Sequence, residues 1–212
     1  MKNKPIIGFD LDGVLVESIS LMNKSWDNVR KIHKIEQKFE EYKKNIGIEF
    51  TEILSNIGVP KEKWTDIKKT YFEYNNVNSN EVYLYEGVNE LFEYLNKNSF
   101  RKFLITSKNR KNTTQVLKKF NLNFDLILTP DDVNRGKPDP ESSYVVKKFF
   151  KSEEFIFVGD MESDRSFSVN SGFKFIYSKY GYGELYSKEN VEHSIENIFD
   201  LKKHLENFNK NY

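Results

Sequence analysis

The chain begins with a short apolar run that two acidic residues interrupt. Between residues 6 and 15, apolar side chains surround Asp10 and Asp12, and Gly13 follows at once. Such a run predicts a buried strand. Acidic residues two positions apart in a strand project the same way, and two like charges held close together are unfavourable without a cation or a proton between them. The pattern predicts a metal site, a catalytic role or both, with an ordinary strand end and Asp-Gly turn as the alternative.

The next sixty residues change to helical periodicity. Apolar side chains recur three and four positions apart, with breaks at Gly47 and at residues 58–60. We interpret residues 18–77 as a small all-helical unit whose aromatic side chains form a core. The polar residues 75–80 then predict a linker. The apolar stripes are Met22, Trp26 and Val29, then Phe39, Tyr42 and Ile46, then Phe50, Ile53, Leu54 and Ile57, and finally Trp64, Ile67, Tyr71 and Tyr74.

Beyond residue 81, predicted strands alternate with predicted helices. The strands lie at residues 102–105, 124–128, 155–158 and 173–177, and a C-terminal helix starts near residue 198. Asp139 and Pro140 predict the start of another helix. Alternation of this kind predicts parallel strands with right-handed crossovers.

The predicted fold class is therefore α/β. A Rossmann-like, doubly wound parallel sheet is expected from residues 1–16 and 81–212. An all-helical cap domain, residues 17–80, is expected as an insertion after the first strand.

The amino-acid composition argues against several classes of function. The chain has 33 Lys and Arg against 32 Asp and Glu, which argues against a nucleic-acid-binding surface. It has no cysteine, so disulfides and thiol chemistry are excluded. No apolar run approaches the length of a membrane span, and the N-terminal residues do not resemble a signal peptide. We expect a cytoplasmic protein, a monomer with a dimer as the alternative, that binds neither nucleic acid nor membrane.

Chemically reactive residue types follow four of the predicted strands. Asp10 and Asp12 follow the first strand, and Thr106 and Ser107 follow the second. The third leads to Lys137 within Gly-Lys-Pro-Asp-Pro, and the fourth to Asp160 and Asp164. In a parallel sheet these strand ends share one edge. Carboxylates beside one lysine suit Mg²⁺, and the hydroxyl, ammonium and backbone amides suit a phosphoryl group.

These motifs, in this order, resemble those of the haloacid dehalogenase superfamily, phosphatase branch. They are the Asp-Leu-Asp-Gly-Val-Leu segment at residues 10–15, Thr106 at the end of Phe-Leu-Ile-Thr, Lys137, and Gly159-Asp160 with Asp164 four residues later. The resemblance covers nearly the whole chain. The helical unit resembles the C1 cap of the phosphoglycolate phosphatase and β-phosphoglucomutase group, and residues 180–183 resemble a loop of phosphoglycolate-phosphatase-like members.

The resemblance implies a Mg²⁺-dependent phosphatase that acts on a small phosphorylated metabolite. It implies that Asp10 is the nucleophile and forms an aspartyl-phosphate, which divides one difficult displacement into two easier ones. It implies that Asp12 protonates the leaving alcohol and then activates the hydrolytic water.

The resemblance also implies how the phosphoryl group is bound. Thr106 would donate a hydrogen bond to a phosphoryl oxygen, with Ser107 as the alternative hydroxyl or as a backbone amide donor. Lys137 would balance charge between the nucleophile and the phosphate. Gly13 lets the backbone turn and lets a ligand approach.

The metal ligands implied are Asp10, the backbone carbonyl of Asp12, and Asp160. For Asp164 the alternatives are a water-mediated place in the metal shell, orientation of Lys137, or a helix cap.

Several alternatives stay open. A β-phosphoglucomutase-type phosphosugar mutase ranks lower, because such relatives carry an Arg in the cap loop and residues 45–50 contain none. A dehalogenase is disfavoured because Asp12 would lack a role, and a non-catalytic binding protein on the same fold is a further alternative. Gly47 fits a specificity loop or an ordinary helix break. Lys108 and Arg110 fit either contacts to an anionic substrate tail or ordinary exposed cations.

Overall fold

The computed structural model describes residues 4–152, 154–186 and 191–210. In chain order its strands are β1 (Ile6–Phe9), β2 (Val16–Glu17), β3 (Tyr83–Leu84), β4 (Lys102–Ile105), β5 (Leu126–Leu128), β6 (Phe155–Gly159), β7 (Lys174–Ser178) and β8 (Val191–Ile195).

Nine α-helices occur within the described residues. They are α1 (Ile19–His33), α2 (Phe39–Lys43), α3 (Phe50–Asn56), α4 (Trp64–Val77), α5 (Val88–Lys97), α6 (Arg110–Phe120), α7 (Glu141–Phe150), α8 (Glu162–Ser171) and α9 (Asp200–Lys210). None of these described helices combines the length and the apolar character that crossing a bilayer requires.

Six strands form one parallel sheet in the order β5-β4-β1-β6-β7-β8. Apolar side chains of α5, α6 and α9 pack on one face of this sheet. Those of α7 and α8 pack on the other. The predicted α/β fold with a doubly wound parallel sheet is therefore confirmed.

Strand β1 lies near the centre of the sheet and is buried on both faces. Ile7 and Phe9 join the core on one face, and Ile6 joins the core on the other. At Gly8 a Cβ atom would come within 2.2 Å of the Phe103 ring, so this position has no room for a side chain. The close packing fixes the place at which β1 ends, and thus the place from which Asp10 extends.

Helices α1 to α4 enclose a second hydrophobic core. The Trp26 and Tyr42 rings stack with their centroids 4.8 Å apart, and Tyr42 and Tyr71 lie 5.6 Å apart. Met161, which follows β6, also packs against this cluster. The aromatic residues at helical spacing therefore form a packed core, as the periodicity indicates.

The chain enters and leaves the helical unit along two short strands. β2 and β3 pair antiparallel, with Val16 opposite Leu84 and Glu17 opposite Tyr83. This two-stranded β2–β3 ribbon is too short to have a sequence signature, and it was not predicted.

Two predicted boundaries are wrong, and one strand of the six-stranded sheet was not predicted. The predicted linker begins at Asn75, but α4 continues to Val77, because the buried Asn75 side chain donates to Ser25 Oγ and to the Tyr71 carbonyl. Helix α7 begins at Glu141, one residue later than Asp139-Pro140 predicts. The sheet also gains an edge strand, β8, which has apolar residues only at its two ends and so lacks a strand pattern.

We predict that Trp26→Ala lowers the free energy of unfolding by about 3–5 kcal/mol, because it removes a fully buried indole from the helical core. Urea unfolding followed by circular dichroism measures this. Tyr144→Ala, at a side chain 64% exposed, is the control and is expected to change stability by less than about 0.5 kcal/mol. Equal effects of the two substitutions would contradict this description of the core.

Candidate active site

The carboxyl edge of the sheet collects the side chains that follow its strands. The Asp10 amide donates to the Val158 carbonyl of β6, and the Thr106 amide donates to the Leu128 carbonyl of β5, so the hydrogen-bonded ladder continues one residue beyond each strand. The side chains of Asp10, Asp12, Thr106, Lys137, Asp160 and Asp164 are all buried there. The expectation that these strand ends share one edge therefore agrees with the structure.

Lys137 binds two carboxylates. Its Nζ lies 2.9 Å from Asp10 Oδ1 and 2.5 Å from Asp164 Oδ1, and its side chain is 1% exposed. Burial alone lowers the pKa of Lys137, but the charges of Asp10 and Asp164 outweigh burial and raise the pKa above its ordinary value. The lysine is therefore a fixed cation beside Asp10.

Asp164 has partners on both of its carboxylate oxygens. While Oδ1 binds Lys137, Oδ2 accepts from the backbone amides of Asp160 at 3.1 Å and Met161 at 3.0 Å. These contacts hold the first turn of α8 and fix the lysine. Of the alternatives for Asp164, the geometry favours the helix cap and the orientation of Lys137 together.

Asp160 differs, because one of its oxygens has no partner. Oδ2 accepts from the Tyr182 backbone amide at 2.7 Å, whereas Oδ1 is buried without a hydrogen-bond partner among the described residues. The side chain lies between two glycines. A Cβ atom at Gly13, where φ is +86°, or at Gly181 would come within 2.3 Å of Asp160 side-chain atoms.

Oxygens of Asp10, Asp160 and Asp164 lie within 4.8 Å of one another. Burial, opposed by Lys137 and reinforced by Asp164 and Asp12, raises the pKa of Asp10 to about 7. Burial, followed by repulsion from Asp164 and Asp10, also raises the pKa of Asp160 well above its usual range. Among the described residues, this cluster places three carboxylates beside the one ammonium of Lys137. An oxygen-binding divalent cation fits it, and Asp160 Oδ1, which has no partner within the described part of the chain, is available as a ligand atom.

Asp12 makes a separate set of contacts. Its Oδ1 accepts from Ser18 Oγ at 2.5 Å, and its Oδ2 lies 3.1 Å from Lys108 Nζ. The Lys108 side chain is only 9% exposed, so its interpretation as an ordinary exposed cation is wrong. Arg110, in contrast, pairs with Asp132 near the surface. The sequence offered one signal for Lys108, which is its position two residues after Thr106.

The two candidate hydroxyls after β4 have different partners. Thr106 Oγ1 accepts from the Lys108 amide at 3.2 Å, and Thr106 lines the same cavity as Asp10 and Asp12. Ser107 Oγ instead donates to the Gly47 carbonyl of the helical unit at 2.8 Å. This geometry favours Thr106 as the hydroxyl available to a ligand.

Gly47 is one of the points where the helical unit contacts the sheet edge. Its φ is +98°, and a Cβ atom there would lie 2.6 Å from Ser163 Oγ. A side chain at this position would therefore disturb the contact between the two parts of the chain.

A cavity of about 60 Å³ lies between this edge and the helical unit. Asp10, Asp12 and Thr106 form its floor, and residues of α1 to α4 and the Gly47 loop form its roof. The arrangement can place a small ligand against two carboxylates and a hydroxyl donor at once.

Comparison with known proteins gives consistent results. Residues 7–178 match the model of a family described as haloacid dehalogenase-like hydrolase. The pyrophosphatase PpaX of Bacillus cereus is 30% identical over 172 residues, which cover 78% of this chain and 79% of the relative. The pyrophosphatase PpaX of Halalkalibacterium halodurans is 28% identical over 209 residues, which cover 91% of this chain and 94% of that relative.

A solved structure described as a predicted phosphoglycolate phosphatase from Haemophilus somnus superposes with a TM-score of 0.87 at 22% identity. The match covers 96% of this chain and 99% of that one. At this level of identity the likeness establishes the fold.

We predict that Lys137→Met lowers the free energy of unfolding in metal-free buffer by about 3–5 kcal/mol, because Asp10 and Asp164 lose their shared buried counter-ion. Chemical denaturation measures the change. Lys118→Met, at an exposed position on α6, is the matched control. If the two variants were equally stable, the ion pairs of Lys137 would not contribute as described.

Proposed function

The chain belongs to the haloacid dehalogenase-like hydrolase family and is a phosphatase, and we propose that it hydrolyses a small phosphorylated metabolite with Mg²⁺ through an aspartyl-phosphate on Asp10. The observation that carries this proposal is the position of Asp10. Its buried carboxylate lies 2.9 Å from Lys137 and lines a cavity that it shares with Thr106 and Asp12.

The first step is attack by an Asp10 oxygen on phosphorus. A bond forms between these two atoms while the bond from phosphorus to the leaving oxygen breaks. Lys137 offsets the repulsion between the Asp10 carboxylate and the phosphate. The Thr106 hydroxyl and the backbone amide of Ser107 bind the phosphoryl oxygens, whereas the Gly13 amide donates to the Val16 carbonyl at 2.9 Å.

Asp12 transfers protons in both steps. It gives a proton to the leaving oxygen and then takes one from the water that attacks the aspartyl-phosphate. Its contacts with Ser18 and Lys108 support this role, because they hold the carboxylate at the cavity. Water attack returns Asp10 to its free form and releases inorganic phosphate.

We assign the metal ligands to Asp10, the Asp12 backbone carbonyl and Asp160. The buried Asp160 Oδ1 without a partner among the described residues supports the assignment, as does a donor set made of oxygens. When bound, Mg²⁺ would neutralise charge on the phosphoryl group and on the attacking carboxylate. Asp164, whose oxygens are both engaged, would act by positioning Lys137.

Residues 17–80 would form a cap over the domain made of residues 1–16 and 81–212. The separate hydrophobic core of the helical unit and its attachment through the β2–β3 ribbon support this division. The hydrogen bond from Ser107 to the Gly47 carbonyl would hold the cap closed, and closure would exclude water from the acyl phosphate.

Pyrophosphate is the second candidate substrate, because two related proteins are named pyrophosphatase PpaX. A phosphosugar mutase ranks below both, since residues 45–50 lack an arginine.

We predict that Asp10→Asn lowers phosphate release by roughly 10³-fold or more, because an amide cannot form the covalent intermediate. Inorganic phosphate is measured with Mg²⁺ over a panel of phosphomonoesters and pyrophosphate. Asp66→Asn, an exposed carboxylate on α4, is the control and is expected to retain activity. Full activity of Asp10→Asn would exclude this residue as the nucleophile.

A further inference from the structure

The roof of the cavity, which the leaving group of a phosphate ester bound at Asp10 would contact, is mostly apolar. Above Asp12 the helical unit contributes aliphatic and aromatic side chains that are buried or half-buried. They are Met22, Ile48, Phe50, Ile53 and Phe72. A charged group placed among them would lose hydration without gaining a counter-ion from the roof.

Two tyrosines interrupt this apolar surface. The Tyr42 hydroxyl donates to the Tyr71 hydroxyl at 2.9 Å, and both residues line the cavity. Burial raises the pKa of both phenols, so both are neutral near pH 7. Because Tyr42 donates its proton to Tyr71, the Tyr71 proton is not used in that hydrogen bond and can be donated to an oxygen of a ligand. The buried Asn75 side chain, which also lines the cavity, interacts with the same Tyr71 hydroxyl.

Among the described residues that line the cavity, Lys108 is the one cation. Its ammonium lies 3.1 Å from Asp12 Oδ2 and is therefore already paired. An anionic leaving group would have to compete with Asp12 for Lys108, and it would otherwise meet the Asp10 carboxylate and apolar rings. That arrangement disfavours a leaving group with a carboxylate or a second phosphate.

The cavity is also small. Its volume is about 60 Å³, whereas pockets for drug-sized ligands span roughly 300–1,000 Å³. A leaving group of a few non-hydrogen atoms is the size that the closed arrangement accommodates.

We propose that the leaving group is a small, uncharged, hydroxylated alcohol, and that Tyr71 selects it by donating a hydrogen bond to an oxygen that does not react. This inference rests on the proposed function and narrows its substrate class. In the reaction, the ester bond between phosphorus and the alcohol oxygen breaks, and the alcohol leaves with a proton from Asp12.

Four substrates of matched size test the inference. 2-Hydroxyethyl phosphate has the proposed character, ethyl phosphate lacks the hydroxyl, and phosphoglycolate and pyrophosphate have anionic leaving groups. For the wild-type chain with Mg²⁺, kcat/KM is expected to be highest for 2-hydroxyethyl phosphate. It should exceed the value for ethyl phosphate by about tenfold, the worth of one good hydrogen bond, and the values for both anionic substrates by more.

Two variants separate the roles of the cap residues. Tyr71→Phe should lower kcat/KM for 2-hydroxyethyl phosphate to the level of ethyl phosphate and leave ethyl phosphate unchanged. Tyr74→Phe, on the same helix but outside the cavity lining, is the matched control. Ile48→Lys adds a cation to the roof and should raise kcat/KM for phosphoglycolate relative to 2-hydroxyethyl phosphate by about tenfold or more.

The possible failures can be told apart. A wild-type preference for pyrophosphate or phosphoglycolate would overturn the inference and leave the proposed phosphatase function intact. An equal loss on all substrates in Tyr71→Phe would also overturn it, because it would show a structural role for the hydroxyl. If no substrate in this panel or in a broad set of phosphomonoesters were hydrolysed faster than by Asp10→Asn, the proposed function and the inference would both fail.

Discussion

Three buried carboxylates lie close together at one edge of the sheet, and the arrangement of the site depends on how their negative charges are balanced. Asp10, Asp160 and Asp164 approach within 4.8 Å, and Lys137 is the cation that binds two of them. Charges taken out of water are stabilised only by close counter-ions and hydrogen bonds. The lysine and the backbone amides at the start of α8 satisfy Asp164, but one oxygen of Asp160 has no such partner among the described residues. This imbalance is the physical reason why a divalent cation fits the site.

The fold supplies the positions that this cluster needs. Strand β1 is buried on both faces and ends between β4 and β6, so Asp10 emerges where neighbouring strands bring Thr106 and Asp160. Gly13 and Gly181 leave room for the Asp160 side chain. The helical unit then covers the edge through the Gly47 loop. The sheet thus fixes the positions of the clustered side chains, and the helical unit forms the roof of the adjoining cavity.

The sequence predicted the sheet because the sheet depends on local pattern, and the side chains proposed for the site meet at its edge for the same reason. Apolar runs that end in Asp, Thr or Gly-Asp place their side chains at a common edge whatever the loops do. The ribbon and β8 were missed because they are very short or have few apolar residues. The burial of Lys108 could not be predicted, since its ion pair with Asp12 joins two loops that are far apart in the sequence. The hydrogen bond from Ser107 to the Gly47 carbonyl likewise depends on how the helical unit packs against the sheet edge.

The most direct test of the central claim is Mg²⁺ binding measured by isothermal titration calorimetry. The wild-type chain should bind one Mg²⁺, and Asp160→Asn should weaken binding by more than about tenfold, because the amide nitrogen would replace a ligand oxygen while the shape is kept. Asp66→Asn, far from the carboxylate cluster in sequence and exposed, should bind as the wild type does. Equal Mg²⁺ affinity of the wild type and Asp160→Asn would contradict the account.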